Sequence, residues 1–388
     1  SIGKDSMYDA TSATGVVAIG TESANNITSG SESVAVGKQA LYTANTVGAN
    51  TAVGYQALKL NAVANNTAVG HASGLNTTGT ANVYLGASAG TGTTGAETYN
   101  TGIGYQALYD ISTGSSNVVV GALAGENITT GNENTIVGTG AFRQSATGYD
   151  NVVIGREAMG LGYVEGHDNV AVGKGSAYDL TTGNDNTFVG RATGAELTTG
   201  SNNVAVGYYA LNTMTGAVSN NTAIGFEAGR YLGGNGGSNL SDFNTILGKQ
   251  AMGGGHTSTP SNNTAHLNVA IGHGAIGGGT GTGTNLTATG NTAIGYASMN
   301  VATSAANNVT LGYGTLQALT SGARNIAIGN LTLDAITTQS DNIAIGHGAQ
   351  SAQSHANSTR NIAIGQYAMD NMNAWQTDNI AIGYEAME

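Results

Sequence analysis

The sequence predicts an all-β chain wound as a parallel β-solenoid of about 22 short coils, and three observations predict it. The first is a pentad, clearest as Asn361-Ile362-Ala363-Ile364-Gly365, whose glycine recurs 22 times from Gly3 to Gly383. The second is its interval: eleven of the 21 spacings are 17 residues, a period of stacked structural repeats and not of globular domains. The third is composition. With 62 Gly, one Pro and 9 % charged residues, the chain suits neither long helices nor a charge-rich disordered state.

Inside the pentad, the residue before the glycine is always Val, Ile or Leu, and from Gly20 onward the residue three before it is Val, Ile or Thr. Side chains alternate across a strand, so these two share one face. They are expected to point inward, Thr included. Between them sits Ala in most copies, and Tyr84, Phe188 or Ile246 in a few. That shallower apolar face is expected to be the lateral contact between chains, because small side chains let backbones approach. From Gly54 onward each pentad opens with Asn, and stacked copies predict an asparagine ladder that includes Asn134, Asn151, Asn186, Asn203, Asn325, Asn342 and Asn361.

After each glycine come a large residue, a tight bend and a hydrophobic anchor, as in Tyr55-Gln56-Ala57-Leu58 and Arg156-Glu157-Ala158-Met159. The anchor is expected in the core. A polar turn follows, with a glycine seven residues before the next pentad glycine at Gly114, Gly131, Gly148, Gly166, Gly183 and Gly200. There glycine is expected to close the turn by adopting positive φ.

One repeat domain is read over 1–388. Coils are regular over 1–225, loop-extended over 226–295, where three successive spacings are 23, 24 and 23, and regular again over 296–388. The extensions carry Gly233-Gly234-Asn235-Gly236-Gly237, Gly253-Gly254-Gly255-His256, Pro260 and Gly277-Gly278-Gly279, and are expected to protrude together as tolerated loops or as a binding cluster. Ser1 to Met7 read as half a repeat, and neither end shows a polar cap, signal peptide or anchor.

The formal charge of −12, with 11 scattered Lys and Arg, leaves no basic stripe for nucleic acid. Apolar runs are too short to span a bilayer. Without Cys there are no disulfides or thiolate metal sites. Dispersed His and the lack of a nucleophile motif or an isolated carboxylate pair argue against an enzyme, and no cofactor is expected.

Two sets of residues are candidate sites. Tyr55, Tyr105, Tyr208, Tyr296, Tyr313 and Tyr384 each follow a pentad glycine and should align as a row. Such a row could stack on sugars; its ordinary reading is shielding of the turn and of a subunit seam. Glu133, Asp150, Asp168, Asp185, Asp341 and Asp378 each precede a ladder asparagine. Asp150, Asp168 and Asp185 are weak Ca²⁺ candidates, and solvated turn carboxylates are the ordinary explanation.

The pentads Ser33-Val34-Ala35-Val36-Gly37 and Asn325-Ile326-Ala327-Ile328-Gly329 resemble the head repeats of YadA-type trimeric autotransporter adhesins, and 181 to 190 is similar to repeats in bacteriophage tail fibres. The resemblance covers nearly the whole chain, with a spacing a few residues longer. It implies a left-handed β-roll, a homotrimer, and a non-enzymatic extracellular fibre at a cell or virion surface that spaces or mediates attachment to a glycan or receptor. The competing expectations are a filament joined head to tail through uncapped ends and a carbohydrate-binding module using the Tyr row.

Overall fold

In the computed structural model the protein is an all-β parallel β-solenoid. The structure describes all residues except 45, 47, 62, 94, 215, 234–240, 254–262, 278–285, 353–357, 371–376 and 388. Most of the three loop extensions therefore lies outside the described residues. Among the described residues there is no helix, and so none long and apolar enough to cross a membrane. The chain divides into two compact units, Ser1–Asp185 and Asn186–Glu388. The first holds strands β1 (Val17–Ile19) to β10 (Val170–Val172), the second β11 (Thr187–Val189) to β21 (Ile380–Ile382).

Every strand is three residues long and is the middle of a pentad. Within each unit, successive strands pair in parallel without register slip, as in Val17↔Val34, Ala18↔Ala35, Ile19↔Val36, or Thr187↔Val204, Phe188↔Ala205, Val189↔Val206. The first pentad contributes only the bridge Ile2↔Ile19. The pairing is anchored at both ends of each strand: the Gly37 amide donates to the Ile19 carbonyl at 2.8 Å, and the Val34 amide to the Asn50 carbonyl at 2.8 Å.

The two faces of the strand are assigned opposite to the sequence expectation. The central residue is the buried one in all 21 strands, whether Ala35, Ala171 and Ala363 or the larger Tyr84, Phe188 and Ile246. The flanking Val, Ile, Leu and Thr are half-buried or exposed, from Val17 and Ile19 at one end to Ile380 and Ile382 at the other. The inward space is filled from across the coil by the anchors Leu58, Leu108 and Met159 and by Ala57, Ala107 and Ala158, all fully buried. Where the central residue is very large, the facing residue is glycine. A Cβ on Gly90 would lie 2.3 Å from the Tyr84 ring, and one on Gly194 would lie 2.7 Å from that of Phe188. An alanine face serves the interior because the anchors already occupy it. The β-branched residues still favour the extended backbone while facing outward.

Glycine also enters for a different reason than expected. The turn glycines Gly114, Gly131, Gly166 and Gly200 have no positive φ. A Cβ there would fall 1.9 to 2.4 Å from a carbonyl oxygen of the following coil, so close approach of stacked backbones requires them. Positive φ belongs to the pentad glycines, 138° at Gly207 for example, and to three further positions per typical coil, filled by glycine in some coils and by other residues in most. In the coil after Gly104 two of these are Gln106 (53°) and Leu108 (54°); the third, Ser116 (58°), immediately precedes ladder residue Asn117.

Candidate functional site

Each pentad glycine ends a strand at a corner, and the residue after it projects from that corner. Its outward position follows from the Asn ladder and glycine column beneath it, which hold the coils in register. Asn151 shows the ladder's economy. Its backbone N–H and its Nδ2 both donate to Asn134 Oδ1 at 3.1 Å, while Asn134 Nδ2 donates to the Gly148 carbonyl at 2.8 Å. The same bonds join Asn186 to Asn203 at 3.0 and 3.1 Å, Asn325 to Asn342 at 3.1 and 3.2 Å, and Asn342 to Asn361 at 3.1 and 3.3 Å. These amides are buried, and burial without such partners would cost about 1–3 kcal/mol per group.

On this scaffold the expected aromatic row forms, with its rings stacked on one another. In the second unit Tyr208 and Phe226 stack at 5.4 Å and 16°, and Tyr296 stacks on His273 at 5.2 Å and on Tyr313 at 5.3 Å, both within 9° of parallel. Arg191 lies 5.6 Å over the Tyr208 ring, and Lys249 lies 5.9 Å from that of Phe226. These spacings follow the coil repeat of about 4.8 Å. Both faces of Tyr296 are thus covered, and its ring edge and hydroxyl are what solvent meets.

The first unit has a shorter version. Tyr55 stacks on His71 at 5.2 Å, but Tyr105 stands between Ala87 and Ala122 in the adjacent coils, 55 % exposed and with no aromatic neighbour along the column. Tyr384 follows the last strand and is also exposed. Rings stack along the column at Tyr55, Tyr208, Tyr296 and Tyr313, and Tyr105 stands apart from them. Sequence reasoning did not foresee that a spacing near 5 Å makes neighbouring rings close each other's faces.

Beside the row lies a cluster that sequence reasoning missed. Tyr209 packs edge-on against Tyr208 at 4.2 Å, and Arg230 lies over the rings of Tyr209 and Tyr231 at 4.6 and 4.9 Å while pairing with Glu227. The Tyr208 hydroxyl is held above the usual phenol range, first by its hydrogen bond with Tyr209. The spacing of Tyr209, Glu227 and Arg230 relative to their pentad glycines was the available signal.

The acids before the ladder asparagines have a backbone reason to be there. Glu133, Asp150, Asp168 and Asp185 all adopt φ between 54° and 57°, where Asp is better tolerated than most residues. Asp168 lies 2.8 Å from His167 Nδ1. Among the described residues no three His, Cys, Asp or Glu side chains gather to hold a metal ion, so Asp150, Asp168 and Asp185 are not brought into a site. Over the last four coils of the second unit the same column alternates in sign, as Arg324, Asp341, Arg360 and Asp378. Arg324 grips Asp341 at 2.6 and 2.8 Å, and Arg360 grips Asp378 at 2.7 and 2.9 Å. Those hydrogen bonds hold both carboxyls below the ordinary Asp range.

One buried acid was also missed. Glu97 stands where other coils carry the turn glycine, 1 % exposed, with one carboxyl oxygen 3.3 Å from the Thr78 amide and the other without a partner. Burial pushes its pKa up to about 7. Gln339 takes the equivalent place in its coil, and its Oε1 accepts the amides of Thr337 and Thr338 at 2.7 and 2.8 Å.

No protein-family model matches the chain, and neither a search of curated proteins nor one of solved structures found a match.

Proposed function

We propose that the chain is a non-enzymatic extracellular fibre shaft, in which three copies pack side by side and space or carry an attachment to a cell or virion surface. The observation that carries this reading is the outward strand face. Two columns of Val, Ile, Leu and Thr run along each unit without one charged residue. In the first unit alone, ten strands at about 4.8 Å make a strip roughly 48 Å long and about 10 Å wide. Monomeric proteins rarely expose contiguous apolar patches beyond a few hundred Å². The seam is therefore assigned to the β-branched face; the alanine face is buried inside each coil. A single shaft chain needs no pocket, cofactor or catalytic group, and its length is set by repeat number.

A Thr-based ice-binding face gains one point, since Thr points outward and not inward as its spacing first suggested. It lacks continuity: Thr occupies at most two successive coils, as at Thr51 and Thr67 or Thr222 and Thr245. Sugar stacking on the Tyr row is opposed by the closed ring faces of Tyr208, Tyr296 and their neighbours.

The test is a pair of outward charges. Val206→Glu with Ile224→Glu should give folded single chains, because the substitutions lie on the seam and outside the core. Association equal to that of the unmodified protein would refute the seam.

A further inference from the structure

We infer that the corner running from Arg191 to Tyr313 in the second unit is a binding surface for an acidic polysaccharide, one bearing carboxylate or sulfate groups along its chain.

An aromatic ring is negative on its face and positive at its edge. With faces turned toward one another along Tyr208–Phe226 and Tyr296–Tyr313, the solvent side offers positive edges and phenolic O–H donors. Tyr296 and Tyr313 are 52 % and 53 % exposed, so these edges are accessible within the chain. A neutral sugar bound by stacking would need a free ring face, which the interior of this row does not provide. An oxyanion needs donors and positive edges, which it does.

Charge points the same way. Arg143, Arg156, Arg230, Arg324 and Arg360 each pair with a carboxylate. Arg191 and Lys249 differ: among the described residues neither joins an ion pair, and each is seated beside an aromatic ring. A guanidinium over a ring keeps N–H donors at its rim. The two cations sit three coils apart, about 14 Å at 4.8 Å per coil. The nearest acid of the adjoining column, Glu227, is held by Arg230 and accepts from Gln250 Nε2 at 2.8 Å. In a chain of net charge −12, this is a local row of donors with its own carboxylate already engaged. It suits a linear polyanion laid along the corner, with acid groups meeting Arg191 and Lys249 and hydroxyls meeting the phenols.

The inference is independent of the shaft reading, since side-by-side association uses the strand face. The experiment is affinity electrophoresis of the full chain in gels containing alginate, with dextran as the neutral probe and a single-stranded oligothymidylate as a polyanion without sugar acids. The expected result is retardation by alginate that weakens with salt and none by dextran. Arg191→Gln with Lys249→Gln should weaken alginate binding about tenfold or more. Tyr296→Phe with Tyr313→Phe, which keeps the stack and removes the donors, should weaken it by a smaller factor. Melting curves of both variants verify the fold, and an unchanged particle mass separates this site from the lateral seam. Retardation by dextran, equal retention of the double-Gln variant, no alginate binding at low salt, or oligothymidylate binding as tight as alginate would each overturn the inference.

Discussion

The corner after the pentad glycine differs between the two units while the asparagine ladder and the glycine column beneath it stay the same. In the first unit the column reads Lys4, Thr21, Lys38, Tyr55, His71, Ala87, Tyr105, Ala122, Thr139, Arg156, Lys174, so stacking is broken after two rings. In the second its run of Arg191, Tyr208, Phe226, Lys249, His273, Tyr296 and Tyr313 puts a ring or a cation on seven successive coils, before Asn330 interrupts it. Under both, the ladder asparagine and pentad glycine recur and the strand centre is buried. The contrast separates two kinds of position. Where a side chain meets the next coil's backbone, one residue type fits and the repeat cannot drift; where it meets solvent, the column is free to specialise.

The largest losses are expected at the glycine column that both units share. Gly207→Ala in the second unit and Gly104→Ala in the first place a Cβ 2.3 and 2.4 Å from the following coil's glycine oxygen, at φ 138° and 136°. Each should cost about 4 kcal/mol or more in denaturant unfolding, equally in the two units. A loss below about 1 kcal/mol would mean that the coils are not in this register.

Asn203→Ala and Asn134→Ala should come next, at about 2–3 kcal/mol each, because the following coil's amides and a turn carbonyl lose their partner. Equal losses are expected in the two units; a large difference would locate a weaker ladder.

Glu97 supplies a pH-dependent distinction confined to the first unit. Its pKa is raised from 4.5 to about 7 in the folded chain, so folding holds the proton more tightly than the unfolded state does. Its contribution is therefore full below about pH 4.5, declines as pH rises to about 7, and is flat above. Glu97→Gln should remove that decline and stabilise the protein at pH 8 by about 2 kcal/mol, the amide at Gln339 being the precedent. An unaltered pH profile of the melting temperature would show that Glu97 is not buried.

The smallest effect is expected at the corner itself. Tyr296→Ala makes the second unit's edge resemble the first unit's, and should cost about 1 kcal/mol or less in stability, since exposed ring pairs contribute little beyond their area.

Much of this was legible in the sequence, and the failures share one cause. Pentad spacing, short strands, the asparagine ladder and the anchors Leu58, Leu108 and Met159 follow from fixed offsets, and offsets survive translation into structure. The direction of the strand faces does not follow from alternation, because both faces are apolar here. Volume settles it: Tyr84 opposite Gly90, and Phe188 opposite Gly194, betray the inward column by compensating glycines. The turn glycines misled for a related reason, since close approach and positive φ both demand glycine. In the candidate site, the row of Tyr55, Tyr208, Tyr296 and Tyr313 was readable; the closure of its faces was not, because it depends on rotamers. The pairing of Arg324 with Asp341 and Arg360 with Asp378 needed only the observation that they share a column on successive coils.

The claim on which the account rests is that the outward β-branched face is a seam between copies. Light scattering on the purified, unmodified chain measures it directly. The account predicts a particle of three chains, three times 38.5 kDa or about 116 kDa. A stable particle of 38.5 kDa would contradict it and leave that face to a different partner.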